Sequence, residues 1–132
     1  MADPNSITIR ISPGEAIDRL TILEIKSERM TDAARLANVR RELAGLAAVV
    51  ERHMPARDDV RDLHDRLKAV NAKLWDIEDD IRACERRKDF GENFVALARA
   101  VYVNNDERAR LKRAINETLG ADIIEEKSYT PY

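Results

Sequence analysis

The residues Val60, Leu63, Leu67, Val70, Leu74, Ile77, Ile81 and Cys84 step by three and four without a break. Such spacing keeps one face of an α-helix apolar for about seven turns. A helix from about Asp58 to Lys88 is about 45 Å long at 1.5 Å per residue. A compact domain of this length has a radius of gyration of only about 14 Å. The molecule is therefore expected to be elongated. Leu36, Val39, Leu43, Leu46 and Val50 form a similar seam that ends before Pro55. Two matching seams joined by a short Pro-containing turn predict an antiparallel hairpin, with helices of about 32–53 and 58–88 packed on each other in coiled-coil fashion.

Start and stop signals place the other elements. In Ser12-Pro13-Gly14-Glu15, a hydroxyl stands at the N-cap, Pro at the first helical position and Glu three residues after the Ser. They predict a helix of about 13–30 that stops before Thr31-Asp32, the next cap. Gly91 suits the left-handed cap of the long helix. Phe94, Leu97, Ala98 and Val101 open a last helix of about 92–119, whose continuity through Asn104-Asn105-Asp106 is left open by the pattern. Ile7 to Ile11 alternates with period two and reads as a short strand over 6–11, paired with the tail near Ile123-Ile124 or with another copy. Residues 121–132 read as an extended tail. The fold class is thus all-α: one domain over 1–132, an elongated antiparallel helical hairpin packed with two further helices, plus one short N-terminal β-strand.

Charge narrows the function classes. Lys and Arg number 23 against 25 Asp and Glu, so the net charge of −2 lacks the footprint of a general nucleic-acid binder. The local runs Arg86-Arg87-Lys88 and Arg108 to Arg113 are interleaved with acids and read as solvated helix faces. The longest apolar or glycine run, Leu43 to Val50, is far short of the roughly 20 residues of a membrane span. No signal-peptide pattern opens the chain, and a cytoplasmic protein is expected. One cysteine and two histidines offer neither an internal disulfide nor a zinc set, and no nucleophilic triad or phosphate-binding glycine loop is present.

The informative residues are polar ones on apolar faces. In the first helix, Ile17, Leu20, Ile22, Leu23 and Ile25 leave a narrow solvent stripe at Arg19 and Lys26. Asp18, Thr21, Glu24 and Glu28 consequently project between apolar neighbours, where a carboxylate requires a cation or a donor. In the last helix Arg108 interrupts the apolar stripe, with Asn105 and Lys112 beside it. In the long helix Asn71, Trp75, Glu78 and Arg82 share a stripe that would form a third wall. The plainer reading is a structural network in which Arg108 and Lys112 neutralise Asp18 and Glu24. The sharper reading is a ligand site made of Asp18, Glu24, Trp75, Glu78, Asn105, Arg108 and Lys112. Its cations and amides would receive a phosphate or carboxylate. The pairs Glu15/Asp18 and Asp76/Asp79 have the spacing used for Mg²⁺ on helical bundles, but with 25 acids such pairs arise easily by chance.

The strings GEAIDRLTILEIK (Gly14 to Lys26), LWDIEDDIR (Leu74 to Arg82), DFGENFVALARAVYVNNDERARLKRAIN (Asp89 to Asn116) and EEKSY (Glu125 to Tyr129) resemble an uncharacterised family of small bacterial and phage proteins, a domain of unknown function. The likeness covers most of the chain outside roughly Ala44 to His64. It implies no assigned activity. Relatives occurring beside sugar-transfer genes imply a carbohydrate or nucleotide-sugar setting.

The expectation that follows is a small binding or accessory protein, a homodimer without a resident cofactor or metal, with a polar pocket for a small anionic ligand such as a nucleotide or nucleotide sugar. A Mg²⁺-dependent hydrolase of such compounds is the alternative, which leaves open whether the protein is an enzyme. A protein-protein adaptor or inhibitor without a ligand site is the third reading.

Overall fold

The structure, a computed structural model, describes residues 4–132. Four helices account for the regular structure there: α1 (Pro13–Arg29), α2 (Ala33–His53), α3 (Asp58–Arg87) and α4 (Glu92–Thr118). The protein is all-α. Ser12 caps α1, its Oγ accepting from the Glu15 amide at 3.1 Å, and Asp32 caps α2 by accepting from the Arg35 amide at 2.9 Å. Each side chain satisfies one of the donors that a helix start leaves open.

The expected strand over 6–11 does not form. Among the described residues there is no strand, and Ile7 and Ile9 are 91% and 65% exposed. Arg10 reaches the tail through its guanidinium, which donates to Asp122 at 3.4 Å, a side-chain bond and not the backbone ladder that a strand requires.

The hairpin is also built differently from expectation. α3 packs most extensively on α4, while α2 packs on α1 and no Cα of α2 comes within 8 Å of α3 or α4. α1 contacts all three other helices, which is why its buried residues, among them Ala16, Ile17, Thr21, Leu23 and Ile25, extend well around its circumference. A surface apolar on so many sides requires cover from several helices, and α2 supplies one side of it. The centre of the core is Ile17 of α1, Leu67 of α3 and Leu111 and Ile115 of α4, with Val50 and Met54 closing one end.

α3 ends earlier than Gly91. Lys88 takes the left-handed conformation (φ 58°), its amide donating to the Glu85 carbonyl while that of Asp89 donates to the Cys84 carbonyl; Gly91 instead caps the start of α4 with φ −82°. The helix closes as soon as α4 must turn back, and a lysine accepts a left-handed φ that costs about 1–2 kcal/mol. α4 runs unbroken through Asn104, whose Nδ2 donates to the Ala100 carbonyl at 2.8 Å and so stays inside the helix. After α4, Gly120 at φ +63° lets the Ala121 amide reach the Asn116 carbonyl at 2.9 Å. This left-handed turn sends the tail back along α4.

Candidate functional site

The site begins with a buried carboxylate. Asp18 faces inward from α1 and is 1% exposed. Arg108 of α4 grips it with two bonds, Nε at 2.9 Å and Nη2 at 2.6 Å. Asn71 of α3 donates through Nδ2 to the same carboxylate at 2.9 Å and to Thr21 Oγ1 at 2.9 Å, and Thr21 donates in turn to the Asp18 carbonyl at 2.8 Å. Three helices thus meet at one charge. Burial pushes the Asp18 carboxyl up, but the bonds from Arg108 and Asn71 outweigh it and hold the group below the usual carboxylate range. Among the described residues no buried side-chain nitrogen or oxygen lacks a partner.

One turn toward the start of α1 a second knot forms. Gly14 lies so close to α4 that its amide donates to Asn116 Oδ1 at 2.7 Å, and a Cβ there would stand 2.3 Å from the Lys112 carbonyl oxygen. Only glycine permits that approach. It brings Lys112 Nζ to Glu15 at 2.7 Å and to Glu125 of the tail at 3.1 Å, while Ser12 Oγ donates to Glu125 at 3.0 Å. Burial alone would lower the Lys112 ammonium's pKa; Glu15 and Glu125 outweigh it and raise it.

Between α4 and the returning tail lies a groove of about 790 Å³. Arg108 and Lys112 line its floor with Asn105 and Asn116, and all three tyrosines of the chain, Tyr102, Tyr129 and Tyr132, line it as well. Tyr102 and Tyr132 meet edge to face with centroids 5.0 Å apart. Arg108 commits Nε and Nη2 to Asp18, which leaves Nη1 without a protein partner among the described residues. The tail is held by side chains: Glu125 on Lys112, Glu126 on Arg113, and Lys127 and Tyr132 on Asp106.

The sequence-derived candidates divide. Asp18 and Arg108 pair directly, Lys112 sits one turn away, and Asn105 lines the groove. The other three stand elsewhere. Glu24 is answered by His64 of α3 at 2.7 Å, not by Lys112. Trp75 lies under the Arg29 guanidinium, 5.9 Å from its ring centre, and Glu78 pairs with Arg82 at 3.2 Å on the exposed side of α3. Sequence reasoning assigned no site role to Ser12, Gly14, Asn116 or Glu125. The juxtaposition of the two chain ends that gives them a role leaves no local pattern. For the Mg²⁺ pairs, Glu15 and Asp18 are engaged by Lys112, Arg19 and Arg108, and Asp76 by Arg29. Among the described residues no three His, Cys, Asp or Glu side chains converge as metal ligands.

His64 carries its own chemistry beside a second, smaller cavity between α1, the end of α2 and the start of α3. Both ring nitrogens face carboxylates, Nε2 toward Glu24 at 2.7 Å and Nδ1 toward Asp65 at 2.9 Å. Two carboxylate acceptors favour the ring that carries both N–H groups, and its pKa is raised chiefly by the Glu24 bond. A raised folded pKa means that the stabilisation is complete below the unfolded value of about 6.5 and disappears as pH rises through the folded one. Urea unfolding between pH 6 and pH 9 should therefore show wild type losing stability relative to His64→Gln. Parallel curves would show that the ring is neutral.

The profile of a family described as a family of unknown function, DUF6165, matches residues 7–132, including the stretch from 44 to 64 that the string likeness left aside. No curated protein and no solved structure matches the chain.

Proposed function

The chain belongs to the family of unknown function DUF6165, and from that premise we propose that it acts by binding, receiving a small anionic ligand such as a nucleotide or nucleotide sugar in the groove between α4 and the tail. The observation that carries this reading is the composition of the groove. Arg108, Lys112 and Lys127 line it with the amides Asn105 and Asn116 and the acids Asp106, Glu125 and Glu126, and every tyrosine of a chain that is only 5% aromatic lines it. Arginine and lysine bind phosphate by charge-assisted bonds, and tyrosine presents a flat apolar face with a polar tip to a base or a sugar. Asp18 has a supporting part: it fixes the Arg108 guanidinium in one plane, so that the remaining Nη1 donor is presented without loss of side-chain freedom on binding.

The reading predicts that ADP, UDP or UDP-glucose stabilises the folded protein. A ligand at 100 times its Kd adds about 2.7 kcal/mol by mass action, which a thermal-shift titration resolves. Lys112→Ala and Tyr132→Ala should each weaken the response at least tenfold. Tyr132 is 79% exposed, so its loss leaves the fold intact. A panel without any shift, or an equal shift in both variants, refutes the groove. The same panel with Mg²⁺ tests the hydrolase alternative, read as phosphate released from ADP or UDP and as glucose or glucose 1-phosphate released from UDP-glucose.

Among the described residues no helix is long and apolar enough to cross a membrane. A cytoplasmic setting is part of the proposal, supported by Cys84 as a buried free thiol. So is a homodimer, supported by the open apolar surface on α4.

A further inference from the structure

The homodimer reading requires a surface, and the outer side of α4 supplies one. From Phe94 to Val103 the chain reads Phe-Val-Ala-Leu-Ala-Arg-Ala-Val-Tyr-Val, with Arg99 its one charged residue. A helical segment apolar on nearly all sides calls for cover on nearly all sides. α3 half-buries Leu97, Ala100 and Val101. The polar contacts of α1 with α4 lie further along, at Arg108, Lys112 and Asn116. Val95 and Val103 therefore stay 51% and 48% exposed, with Phe90 at the tip 52% exposed.

Two charges flank Val95 within this patch. Glu92 and Arg99 are exposed, stand seven residues apart on one stripe with Val95 and Ala96 between them, and have no ion-pair partner among the described residues. A second α4 laid antiparallel, about a two-fold axis at the midpoint of Val95 and Ala96, sets Glu92 against the partner's Arg99 and Arg99 against the partner's Glu92. Val95 then meets the partner's Ala96. A parallel arrangement in the same register would oppose like charges. The stripe is thus complementary to its own reverse, as an isologous interface demands.

We infer that a second copy of this chain covers α4 in this antiparallel register. The inference rests on the homodimer reading and names its contact. Residues 90–103 span about 20 Å, a strip smaller than the roughly 800 Å² per partner of a standard complex, so the dimer is weak and reversible.

Sedimentation velocity from 5 to 500 µM tests it. Wild type should move reversibly from 15.1 kDa toward twice that mass. Arg99→Glu and Glu92→Arg, each opposing like charges across the axis, should weaken association at least tenfold. The double variant should restore it, with circular dichroism confirming the helices throughout. A wild type that stays monomeric at 500 µM overturns both the homodimer and this surface. A dimer indifferent to Arg99→Glu keeps the homodimer and overturns the surface, and a double variant that stays dissociated overturns the register.

Discussion

Replacing Arg108 with alanine is expected to lower the unfolding free energy by about 3–5 kcal/mol, because a carboxylate 1% exposed loses its cation while staying inside the fold. The loss should depend on pH in a definite direction. In wild type the depressed Asp18 pKa contributes stability above the unfolded value of about 3.9, and that contribution is lost as pH falls through the lower folded value. Without Arg108, burial governs and Asp18 protonates more readily, so the deficit should narrow at pH 4 relative to pH 7. Asp18→Asn in the same background should recover part of it, since an amide tolerates burial beside Asn71 better than an unpaired charge. Urea unfolding of the two single variants and the double variant checks all three statements. A deficit below about 1 kcal/mol would place the pair with ordinary surface ion pairs and remove the rigid support argued for Nη1.

Adding one methyl group at Gly14 should be almost as damaging. The new Cβ would stand 2.3 Å from the Lys112 carbonyl oxygen and 2.9 Å from Asn116 Oδ1. The first is a backbone atom, which moves only if α4 moves. Overpacking together with a strained Gly14–Asn116 bond is expected to cost about 3 kcal/mol. Gly45→Ala provides the matched control, because nothing lies within 4 Å of a Cβ there. In the middle of α2 that change removes backbone freedom from the unfolded chain and should add about 0.5–1 kcal/mol. Opposite signs for one chemical change in thermal melts would locate the effect in the α1–α4 approach; equal signs would refute it.

The same two positions show what a sequence reveals and where it falls silent. Ser12, Pro13 and Glu15 mark the start of α1 by chemistry contained within four residues, so that end was legible. Asp18 and Arg108 were legible as polar residues interrupting apolar stripes, and opposite charge matched them. The network expected of Arg108 and Lys112 with Asp18 and Glu24 holds for Asp18 but not for Glu24, because a helical wheel gives the face of a residue but not the helix opposite, and His64 of α3 stands against Glu24. Trp75 and Glu78 share a stripe with Asn71 but lie further along α3, where Arg29 and Arg82 engage them. The expected α2–α3 hairpin failed for the same reason: two seams of equal period state that each helix seeks cover, not that they cover each other. The alternating isoleucines before α1 carry strand chemistry without a neighbouring edge, and propensity alone does not make a sheet.

The bonds that close the site join residues 90, 97 and 102 positions apart. During synthesis at about 5–20 residues per second, the opening helix waits several seconds for the segment that completes it. A nascent chain that stops short of Arg108 leaves Asp18 without its cation, so α1 cannot settle into its buried position until α4 follows. Closure of the site therefore waits on the last helix, however much of the rest has already folded.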